Sequence, residues 1–464
     1  MAKTRATSGL DLHIERTGHR VRAGLETALR EAIRDGRLQA GTQLPSTRAL
    51  ASDQGLARNT VSEAYDQLVA EGWLTARQGS GTFVADLDSV TPLRATSATA
   101  ESLASIRFDL RPGQPDLTSF PRSAWLSATR SAMGAASDQQ FGYGHLRGAQ
   151  QLQNALAAYL GRARGVIAHP DQVIICNGFT SGLDLICDVL VHRGTTRFVI
   201  EALGHTLHHR LLARREMQIA TIPVDGVGAV VSELPSADAV LLTPAHQHPL
   251  GGALHPARRR AVTTWANQEG AVIIEDDYDG EFRYDRKSVG ALQSLAPDRV
   301  VYSGTASKSL VPGLRLGWLI PPNDMLEELI EAQRLTGRHA SIVDQVALAH
   351  LIESGGYDRH IRRMRNIYRR RRDRLESILT ERVPSARVRG VAAGLHAVVE
   401  LPPGKTEDEV VATARERGLA LTGLSETIAE AESPPPALVI GFGTPPSHSY
   451  TAALARLVAV LEHS

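Results

Sequence analysis

Short apolar strands alternate with helical stretches through most of this 464-residue chain, and this alternation restricts the folds open to it. Strands buried on both faces read as nearly continuous apolar runs, and helices between them cover a parallel sheet. We therefore predict an α/β domain with a largely parallel sheet, followed from about Ile342 by long helices and a small C-terminal α+β lobe. The strand candidates are residues 173–176, 198–201, 240–243, 272–275, 300–303 and 317–320.

The composition says more about the cellular compartment of the protein than about its function. The formal net charge is only +1, so any contact with nucleic acid must come from locally placed arginines. Cys176 and Cys187 lie in apolar runs, which indicates buried thiols in a reducing compartment, without a disulfide or metal role. The sequence contains no apolar core of the length found in signal peptides, and no run of about 18 apolar residues that could form a transmembrane helix. We expect a soluble, cytoplasmic protein without membrane contact.

The length of the chain predicts more than one domain, because a single core stops growing well below this size. Residues from about Asp86 to Ser105 are rich in Ser, Thr, Ala and Pro and have no sustained period, as expected of a linker. We predict an N-terminal domain over residues 10–86, a linker over 87–110 and a second domain over 111–464. Its large lobe would cover about 111–340 and its small lobe about 341–464.

Three short helices and a hairpin are predicted in the N-terminal domain. Apolar residues at helical spacing predict a first helix over residues 21–37. Ser46 is a suitable N-cap for a second helix, and a third covers about 58–71 with a polar start and an apolar stripe. The hairpin over 73–84 turns at glycines. This is the pattern of a winged helix-turn-helix.

In such a module, residues at the start of the second helix of the motif meet base edges, and nearby hydroxyls and arginines anchor phosphates. Arg58 is the candidate for bidentate guanine recognition, Ser46 and Arg48 for phosphate contact, and Gly81 for close approach to the minor groove. The alternative is a generic three-helix module with solvated arginines. The predicted DNA-binding residues are Ser46, Arg48, Arg58, Asn59, Thr60 and Gly81.

Four strings of this module, at 44–51, 58–65, 71–74 and 79–84, resemble the GntR-type winged helix. The resemblance spans residues 21–84. It implies a DNA-binding function for the N-terminal domain.

The run 303–318 places hydroxyls, one lysine and one arginine in a turn between two apolar strands. A lysine forms a Schiff base with an aldehyde, and small hydroxyl residues with an arginine hold a phosphate dianion. Pyridoxal phosphate carries both groups. We predict that Lys308 is the catalytic, Schiff-base lysine and that Thr305, Ser307 and Arg315 contact phosphate.

Two further segments supply the remaining groups that this cofactor needs. The string 177–181 opens a helix after a strand, so the backbone amides of Gly178, Phe179 and Thr180 are predicted to join the phosphate site. At the end of another strand, Asp276 is predicted to stabilise a pyridinium and Tyr278 to reach the ring oxygen. The neighbouring acidic residues are expected to be solvated or to cap a helix: Glu275, Asp277 and Asp279.

Residues from 111 to the C-terminus resemble a fold-type I aminotransferase, and the tandem with the winged helix resembles the MocR family of transcription regulators. The strings that carry this resemblance are 143–148, 243–251, 275–284 and the Lys308 run. It implies the pairing of Asp276 with the ring nitrogen and a symmetric homodimer whose two winged helices read repeated or inverted half-sites. His246 and His248 are predicted to lie beside the cofactor ring, with a polar contact to its oxygen, rather than to bind a metal.

Two departures from the family pattern bear on function. His205 stands where relatives usually carry a tyrosine that stacks on the pyridine, so it is predicted to stack or to be an ordinary surface histidine. Val439 stands where aminotransferases of this type place the arginine that binds the substrate α-carboxylate. Its loss removes a bidentate, charge-assisted pair, so efficient transamination is not expected.

The sequence therefore supports two kinds of function. One is a transcription regulator that senses pyridoxal phosphate or a small effector that resembles an amine or an amino acid, with the cofactor itself as the signal in one version. The other is an active aminotransferase that carries a DNA-binding domain. The basic tract 359–374 has a helical apolar stripe and is interpreted as a long surface helix, with auxiliary DNA contact as the alternative.

Overall fold

The structure, a computed structural model, describes residues 21–86, 106–142, 144–284, 289–428 and 434–463. The chain divides into two compact units, Met1–Glu101 and Ser102–Ser464. Most of the predicted linker, residues 87–105, lies outside the described residues, as do the start of the predicted N-terminal domain and Tyr143.

The first unit is a winged helix-turn-helix, as predicted. Leu25, Leu29 and Leu68 are fully buried where its helices meet. Ser46 Oγ accepts a hydrogen bond from the Ala49 amide and caps the second helix, and Gly55 ends that helix in the left-handed conformation. Its elements are α1 (Val21–Arg34), α2 (Thr47–Gln54), α3 (Arg58–Ala70) and an antiparallel hairpin of β1 (Leu74–Arg77) and β2 (Gly81–Val84).

The second unit contains the remaining described strands and helices. The strands are β3 (Phe108–Asp109), β4 (Ile174–Cys176), β5 (Arg197–Glu201), β6 (Gln218–Ile222), β7 (Val224–Asp225), β8 (Gly228–Ala229), β9 (Ala239–Leu242), β10 (Val272–Asp277), β11 (Val300–Thr305), β12 (Gly317–Ile320), β13 (Arg387–Arg389), β14 (Ala397–Glu400), β15 (Leu419–Ala420) and β16 (Ala437–Ile440). The helices are α4 (Arg122–Ala135), α5 (Gln150–Arg164), α6 (Phe179–His192), α7 (Thr206–Ala213), α8 (Pro256–Glu269), α9 (Ala306–Ser309), α10 (Leu326–Thr336), α11 (Ile342–Glu353), α12 (Gly356–Arg382), α13 (Glu407–Glu416) and α14 (Tyr450–His463).

Among the described residues, seven strands form the main sheet in the order β4-β12-β11-β10-β9-β5-β6. Only β12 runs antiparallel to its neighbours β4 and β11, so the prediction of a largely parallel sheet is confirmed. Each of the six predicted strands is present. The edge strand β6 was not predicted, because its residues are mostly half-buried and include Gln218 and Thr221, which give no continuous apolar run.

Apolar clusters cover both faces of this sheet. On one face, residues of α6 and α10 such as Leu183 and Leu329 pack against Ile274 and Leu319. On the other face, Val262 of α8 belongs to a cluster with strand residues of β5, β9 and β10. Helices on both faces leave the carboxyl ends of the parallel strands as the open edge, where ligands bind in such sheets.

A small C-terminal α+β lobe follows α11, as predicted. Its three-stranded antiparallel sheet has the order β13-β14-β16 and packs with α12, α13 and α14. The short strand β3 pairs in parallel with β15 of this lobe. Residues 106–110, assigned to the linker from sequence, therefore belong to the second unit, because two residues of strand carry too little pattern to be recognised.

The basic tract 359–374 lies on α12, a helix of 27 residues. Ile361, Met364 and Tyr368 are buried along it, as their spacing predicted. Arg371 differs from a surface arginine, because it is buried and its Nη2 lies 2.7 Å from Asp116 Oδ2. No helix among the described residues is long and apolar enough to cross a membrane.

Candidate functional site

A cavity of about 240 Å³ opens at the carboxyl ends of β5, β9 and β10. Segments far apart in sequence meet there, which is the usual situation for a ligand site in an α/β sheet. Of the twelve residues predicted to bind the cofactor, eleven line this cavity: Gly178, Phe179, Thr180, His205, His248, Asp276, Tyr278, Thr305, Ser307, Lys308 and Arg315. The twelfth, His246, lies behind its wall.

Lys308 projects into the cavity from α9. Thr305 caps this short helix, since its Oγ1 accepts a hydrogen bond from the Ser307 amide at 3.1 Å. Lys308 Nζ donates to the carbonyl oxygen of Gly113 at 2.5 Å. Burial lowers the pKa of the Lys308 amine, and the nearby carboxyl groups of Asp276 and Asp279 oppose that effect. A lysine with a lowered pKa is a better nucleophile at neutral pH.

The amino end of α6 forms one wall of the cavity with anion-binding character. The free backbone N–H groups at Gly178, Phe179 and Thr180 begin a 14-residue helix, and the helix dipole adds to their attraction for an anion. A Cβ at Gly317 would lie only 2.8 Å from the Cα of Gly178, so glycine is needed where β12 passes this turn.

Arg315 also lines the cavity. Its backbone is in the left-handed region, with φ of 51°, a conformation that few residues other than glycine adopt without strain. Its guanidinium lines the cavity and has no ion-pair partner among the described residues. This arginine is therefore available to bind a phosphate group together with the hydroxyls of Thr305 and Ser307.

Asp276, the residue before the last of β10, presents a carboxyl group with an unsatisfied oxygen to the cavity. Its Oδ1 is buried and has no hydrogen-bond partner in the part of the chain that the structure describes. Burial raises the pKa of this carboxyl well above its usual range, although Lys308 opposes the effect. A protonated pyridine nitrogen would satisfy both the missing hydrogen bond and the buried charge. The residues present thus fit pyridoxal phosphate at its aldehyde, phosphate and ring nitrogen.

Tyr278 follows Asp276 by two residues, and its hydroxyl contacts the buried side chain of His246. His246 Nδ1 is 3.1 Å from the Tyr278 hydroxyl and 2.9 Å from Asp279 Oδ2. His246 is buried and does not line the cavity, so its contact with the cavity runs through lining residues such as Tyr278, and its contact with the cofactor ring stays a prediction. Burial raises the pKa of the Tyr278 phenol well above its usual value, so it stays protonated and can donate.

His205 lines the cavity and caps α7, since its Nδ1 accepts from the Leu207 amide at 3.3 Å. Its ring stacks on His208 with centroids 4.9 Å apart. His248 and His396 lie 4.9 Å apart, edge to face, farther along the wall. Burial lowers the pKa of His396 to about 4, so this ring is neutral at physiological pH. Within the described ranges, no group of three or more His, Cys, Asp or Glu side chains is arranged to hold a metal ion.

The acidic residues around Asp276 are buried, so the expectation of solvated side chains is wrong, whereas the alternative of a helix cap holds for Glu275. Glu275 is buried and accepts hydrogen bonds from the backbone amides of Leu292 and Gln293 at 2.7 and 2.9 Å, so it caps a distant helical turn. Asp277 is buried against Arg164. Asp279, also buried, contacts His246. Partners from distant segments compensate these charges, and the local sequence carries no signal for that.

Sequence reasoning missed several residues that line the cavity. Glu201, at the end of β5, accepts a hydrogen bond from Thr243 Oγ1 at 2.6 Å, and burial raises its pKa to about 7. An acidic residue that ends a buried strand is a signal that could have identified it, as it did Asp276. His396 comes from the small lobe and had no comparable signal. The unassigned lining residues with polar side chains include Asn177, Glu201, His208, His209, Thr243, Asp279 and His396.

Val439 lies on β16 and is fully buried. It belongs to an apolar cluster with Val398, Leu424 and Ala437, against which Leu250 packs. Its place in the small lobe therefore offers no charge to a carboxylate. Among the described residues that line the cavity, Arg315 is the only arginine.

The predicted DNA-binding residues lie around α2, α3 and the wing of the first unit. Ser46, Arg48, Arg58, Asn59 and Gly81 are exposed, and Thr60 is half-buried. Gly81 has φ of 104°, and a Cβ there would lie 2.9 Å from the Gln43 side chain, which donates to Ser80 O. Contact of these six residues with DNA stays a prediction.

Both units match known protein families. Residues 22–84 match the family described as bacterial regulatory proteins, gntR family. Residues 108–433, which are more than half of the chain, match aminotransferase class I and II. The first unit is thus a GntR-type DNA-binding domain and the second an aminotransferase-like domain.

Two curated relatives of this chain carry the names of regulators. The HTH-type pyridoxine biosynthesis transcriptional regulator PdxR of Corynebacterium glutamicum is 34% identical over 404 residues, which cover 86% of this chain and 87% of that protein. The probable rhizopine catabolism regulatory protein MocR of Rhizobium meliloti is 35% identical over 364 residues, 74% of each chain.

Solved aminotransferase structures share the fold of the second unit. Kynurenine aminotransferase of Pyrococcus horikoshii has a TM-score of 0.69 and 24% identity, covering 77% of this chain and 91% of its own. The α-aminoadipate aminotransferase LysN of Thermus thermophilus has a TM-score of 0.69 and 22% identity, covering 78% and 93%. At these identities the likeness shows the fold.

Proposed function

Because this chain belongs to the MocR family of transcription regulators, with a GntR-type winged helix joined to an aminotransferase-like domain, we propose that its cofactor cavity senses an effector and controls DNA binding. The cofactor of the second domain is pyridoxal phosphate, whose aldehyde condenses with amines. Sensing requires that the bound ligand favours one arrangement of the winged helices over another.

In this proposal, each part of the cofactor is bound by a different set of cavity residues. Lys308 provides the amine that holds the aldehyde carbon. The amino end of α6 binds the phosphate together with the phosphate-site residues Thr305, Ser307 and Arg315. Asp276 accepts the hydrogen of the ring nitrogen, and Tyr278 donates to the ring oxygen. His205 covers one face of the ring.

The observation that carries the choice of sensor over enzyme is the apolar surrounding of Val439. A bidentate guanidinium gives an α-carboxylate strong, charge-assisted hydrogen bonds, and a buried valine offers none. Arg315, the one described arginine of the cavity, is assigned to the phosphate in this proposal. An ordinary α-amino acid would therefore find no described guanidinium in the cavity for its carboxylate other than the one assigned here to the phosphate.

This argument favours an effector without an α-carboxylate. Pyridoxal phosphate itself meets that condition, and so does a simple amine. The name of the Corynebacterium relative, a pyridoxine biosynthesis regulator, supports the version in which the cofactor is the signal.

An active aminotransferase with a DNA-binding domain is the second candidate. The presence of Lys308, Asp276 and Tyr278 in one cavity favours it, because these are the groups that support the chemistry of the cofactor. Turnover of amino acids with an oxo-acid acceptor separates the two. The sensor account expects turnover to be absent or far below that of dedicated aminotransferases.

For DNA recognition, we infer that two copies of the chain pair through their second domains and place two winged helices on repeated or inverted half-sites. Arg58, at the first turn of α3, would read a guanine, while Ser46 and Arg48 contact phosphates. The exposed positions of Arg48 and Arg58 support this assignment.

Footprinting of the promoter region beside the gene tests the proposal. The protein, freed of cofactor and then reloaded, should protect a site of two half-sites, and loading should change the extent or strength of protection. Identical footprints at every cofactor concentration, together with rapid amino-acid turnover, would favour the enzyme account.

A further inference from the structure

A second cavity, of about 360 Å³, lies between α5, the start of α12 and the segment after β10. It is distinct from the cofactor cavity and shares none of its lining residues. Its lining contains five arginines, at positions 162, 164, 283, 362 and 365, and two carboxyl groups, those of Glu281 and Asp358. An excess of arginine in a concave site attracts anions unless the guanidinium groups are already paired.

Two of these arginines are neutralised within the structure. Arg164 is buried, and its Nε and Nη2 lie 2.7 and 3.0 Å from the two carboxylate oxygens of Asp277. Arg162 Nη2 lies 2.8 Å from Asp358 Oδ2. The Arg164 pair is buried and bidentate, whereas Arg162 makes a single contact from an exposed side chain; each guanidinium faces one carboxylate, so neither contributes to the excess of positive charge.

Arg362 and Arg365 are not neutralised in this way. Arg362 has no hydrogen bond or ion pair to any described residue. Arg365 donates from Nε and Nη2 to the main-chain oxygen of Glu281, at 3.0 and 2.6 Å, and a carbonyl carries no net charge. The two side chains stand three residues apart on one face of α12, so they reach the cavity as neighbours.

The remaining carboxyl does not supply the missing charge. Glu281 is buried, and burial raises its pKa to about 7, with Asp277 adding to the effect. Its Oε1 accepts from the Tyr357 hydroxyl at a long 3.5 Å rather than from an arginine. The cavity therefore keeps an excess of positive charge.

We propose that this cavity is a binding site for a phosphate group, carried by a small molecule and held by Arg362 and Arg365. Guanidinium groups bind phosphate oxygens in bidentate geometry, and a pair of them matches a dianion. The concave shape, with the buried Tyr159 and Glu281 side chains in its lining, suits a compact ligand better than the extended backbone of DNA.

The position of the site connects it to the cofactor cavity. Successive residues of a strand point to opposite faces, so Asp276 of β10 faces the cofactor cavity while Asp277 pairs with Arg164 in the second cavity. The chain then continues through Tyr278 and Asp279, which line the first cavity, to Gly280 and Glu281, which line the second. One segment is thus a wall of both sites.

Titration of the cofactor-loaded, full-length protein with inorganic pyrophosphate, followed by calorimetry, tests the proposal. Loading beforehand fills the phosphate wall of the first cavity. The Arg362→Gln/Arg365→Gln variant should bind pyrophosphate about tenfold more weakly or worse, since each lost charge-assisted bond is large enough for such a change. The control is Arg363→Gln/Arg370→Gln, which removes the same charge from exposed positions of α12 outside the cavity and should bind as the wild type does.

Single Arg362→Gln keeps the test decisive if the double variant folds poorly, because Arg362 is exposed and has no described partner to lose. It should also weaken pyrophosphate binding while the absorbance of the bound cofactor stays unchanged. Equal affinities for the cavity and control variants would overturn the proposal. Weakened binding of a non-specific DNA duplex by Arg362→Gln, with pyrophosphate affinity intact, would assign the arginines to DNA and overturn it as well.

Discussion

Replacing Asp276 by Asn should stabilise the cofactor-free protein and weaken cofactor binding, two effects of opposite sign from one atom. The Oδ1 atom of Asp276 is buried without a hydrogen-bond partner among the described residues. In the cofactor-free state this carboxyl group destabilises the folded protein, because burial removes its hydration and no hydrogen bond replaces it. With the cofactor bound, it pairs with the ring nitrogen.

The pH dependence follows from the raised pKa of Asp276. The folded protein keeps the proton at pH values where the unfolded chain, with a pKa of about 3.9, has released it. Stability contributed by this proton is present at low pH and is lost as the pH rises toward the folded-state pKa. The gain from Asp276→Asn is therefore larger at pH 8 than at pH 5.

The expected magnitudes come from the burial of the group. Removing an unsatisfied buried carboxylate should raise the free energy of unfolding by about 1–3 kcal/mol at pH 8. Losing a hydrogen bond to a charged group costs about 1.5–3 kcal/mol of cofactor affinity, or roughly 10- to 150-fold in Kd. Urea denaturation of the cofactor-free protein measures the first quantity, and absorbance titration with pyridoxal phosphate measures the second.

Asp277→Asn is the matched control on the same strand. It leaves Arg164 buried without its carboxylate and should lower the free energy of unfolding by about 3–5 kcal/mol. If both substitutions destabilise the cofactor-free protein alike, or if Asp276→Asn binds the cofactor as tightly as the wild type, the reasoning about Asp276 is wrong.

Three further predictions concern other residues. Arg58→Ala should relax base preference at one position of each half-site, with a cost of about 1–3 kcal/mol in operator affinity, and unchanged selectivity in a binding-site competition would contradict its placement. Because the pKa of Glu201 is raised to about 7 in the folded protein, the wild type should lose stability as the pH rises from about 4 toward that value. Glu201→Gln should remove this loss, so the variant should have a higher Tm than the wild type at pH 8 but not at pH 4. Amino acids with an oxo-acid acceptor should show little steady turnover, and brisk turnover would contradict the role given to Val439.

The parts of the fold that sequence predicted are those with a local signal. Runs such as 300–303 are apolar on both faces, so a buried parallel strand was the natural interpretation. Ser46 and Gly55 mark the limits of α2 through the chemistry of helix ends. The strand β6 is half-buried and Phe108–Asp109 is two residues long, so neither presents a period that could be read.

The cofactor cavity was predictable where one segment supplies several groups, as the Lys308 run does. Features that depend on convergence of distant segments were not. His246 contacts both Tyr278 and Asp279, which lie more than 30 residues away in the chain. Asp277 can be buried because Arg164, 113 residues away, neutralises it. The second cavity is of the same kind, because Arg362 and Arg365 look like ordinary members of a basic surface helix until Glu281 and Arg164 are placed opposite them.

The central claim is that cofactor held by Lys308 changes DNA binding by the winged helices. Fluorescence anisotropy with the footprinted operator, measured at increasing pyridoxal phosphate for the wild type and Lys308→Ala, tests it most directly. The account predicts that the cofactor shifts the operator Kd of the wild type by about 5- to 150-fold, the usual range of such coupling, and leaves that of Lys308→Ala unchanged. Equal shifts in both proteins, or a wild-type Kd that does not respond to the cofactor, would contradict it.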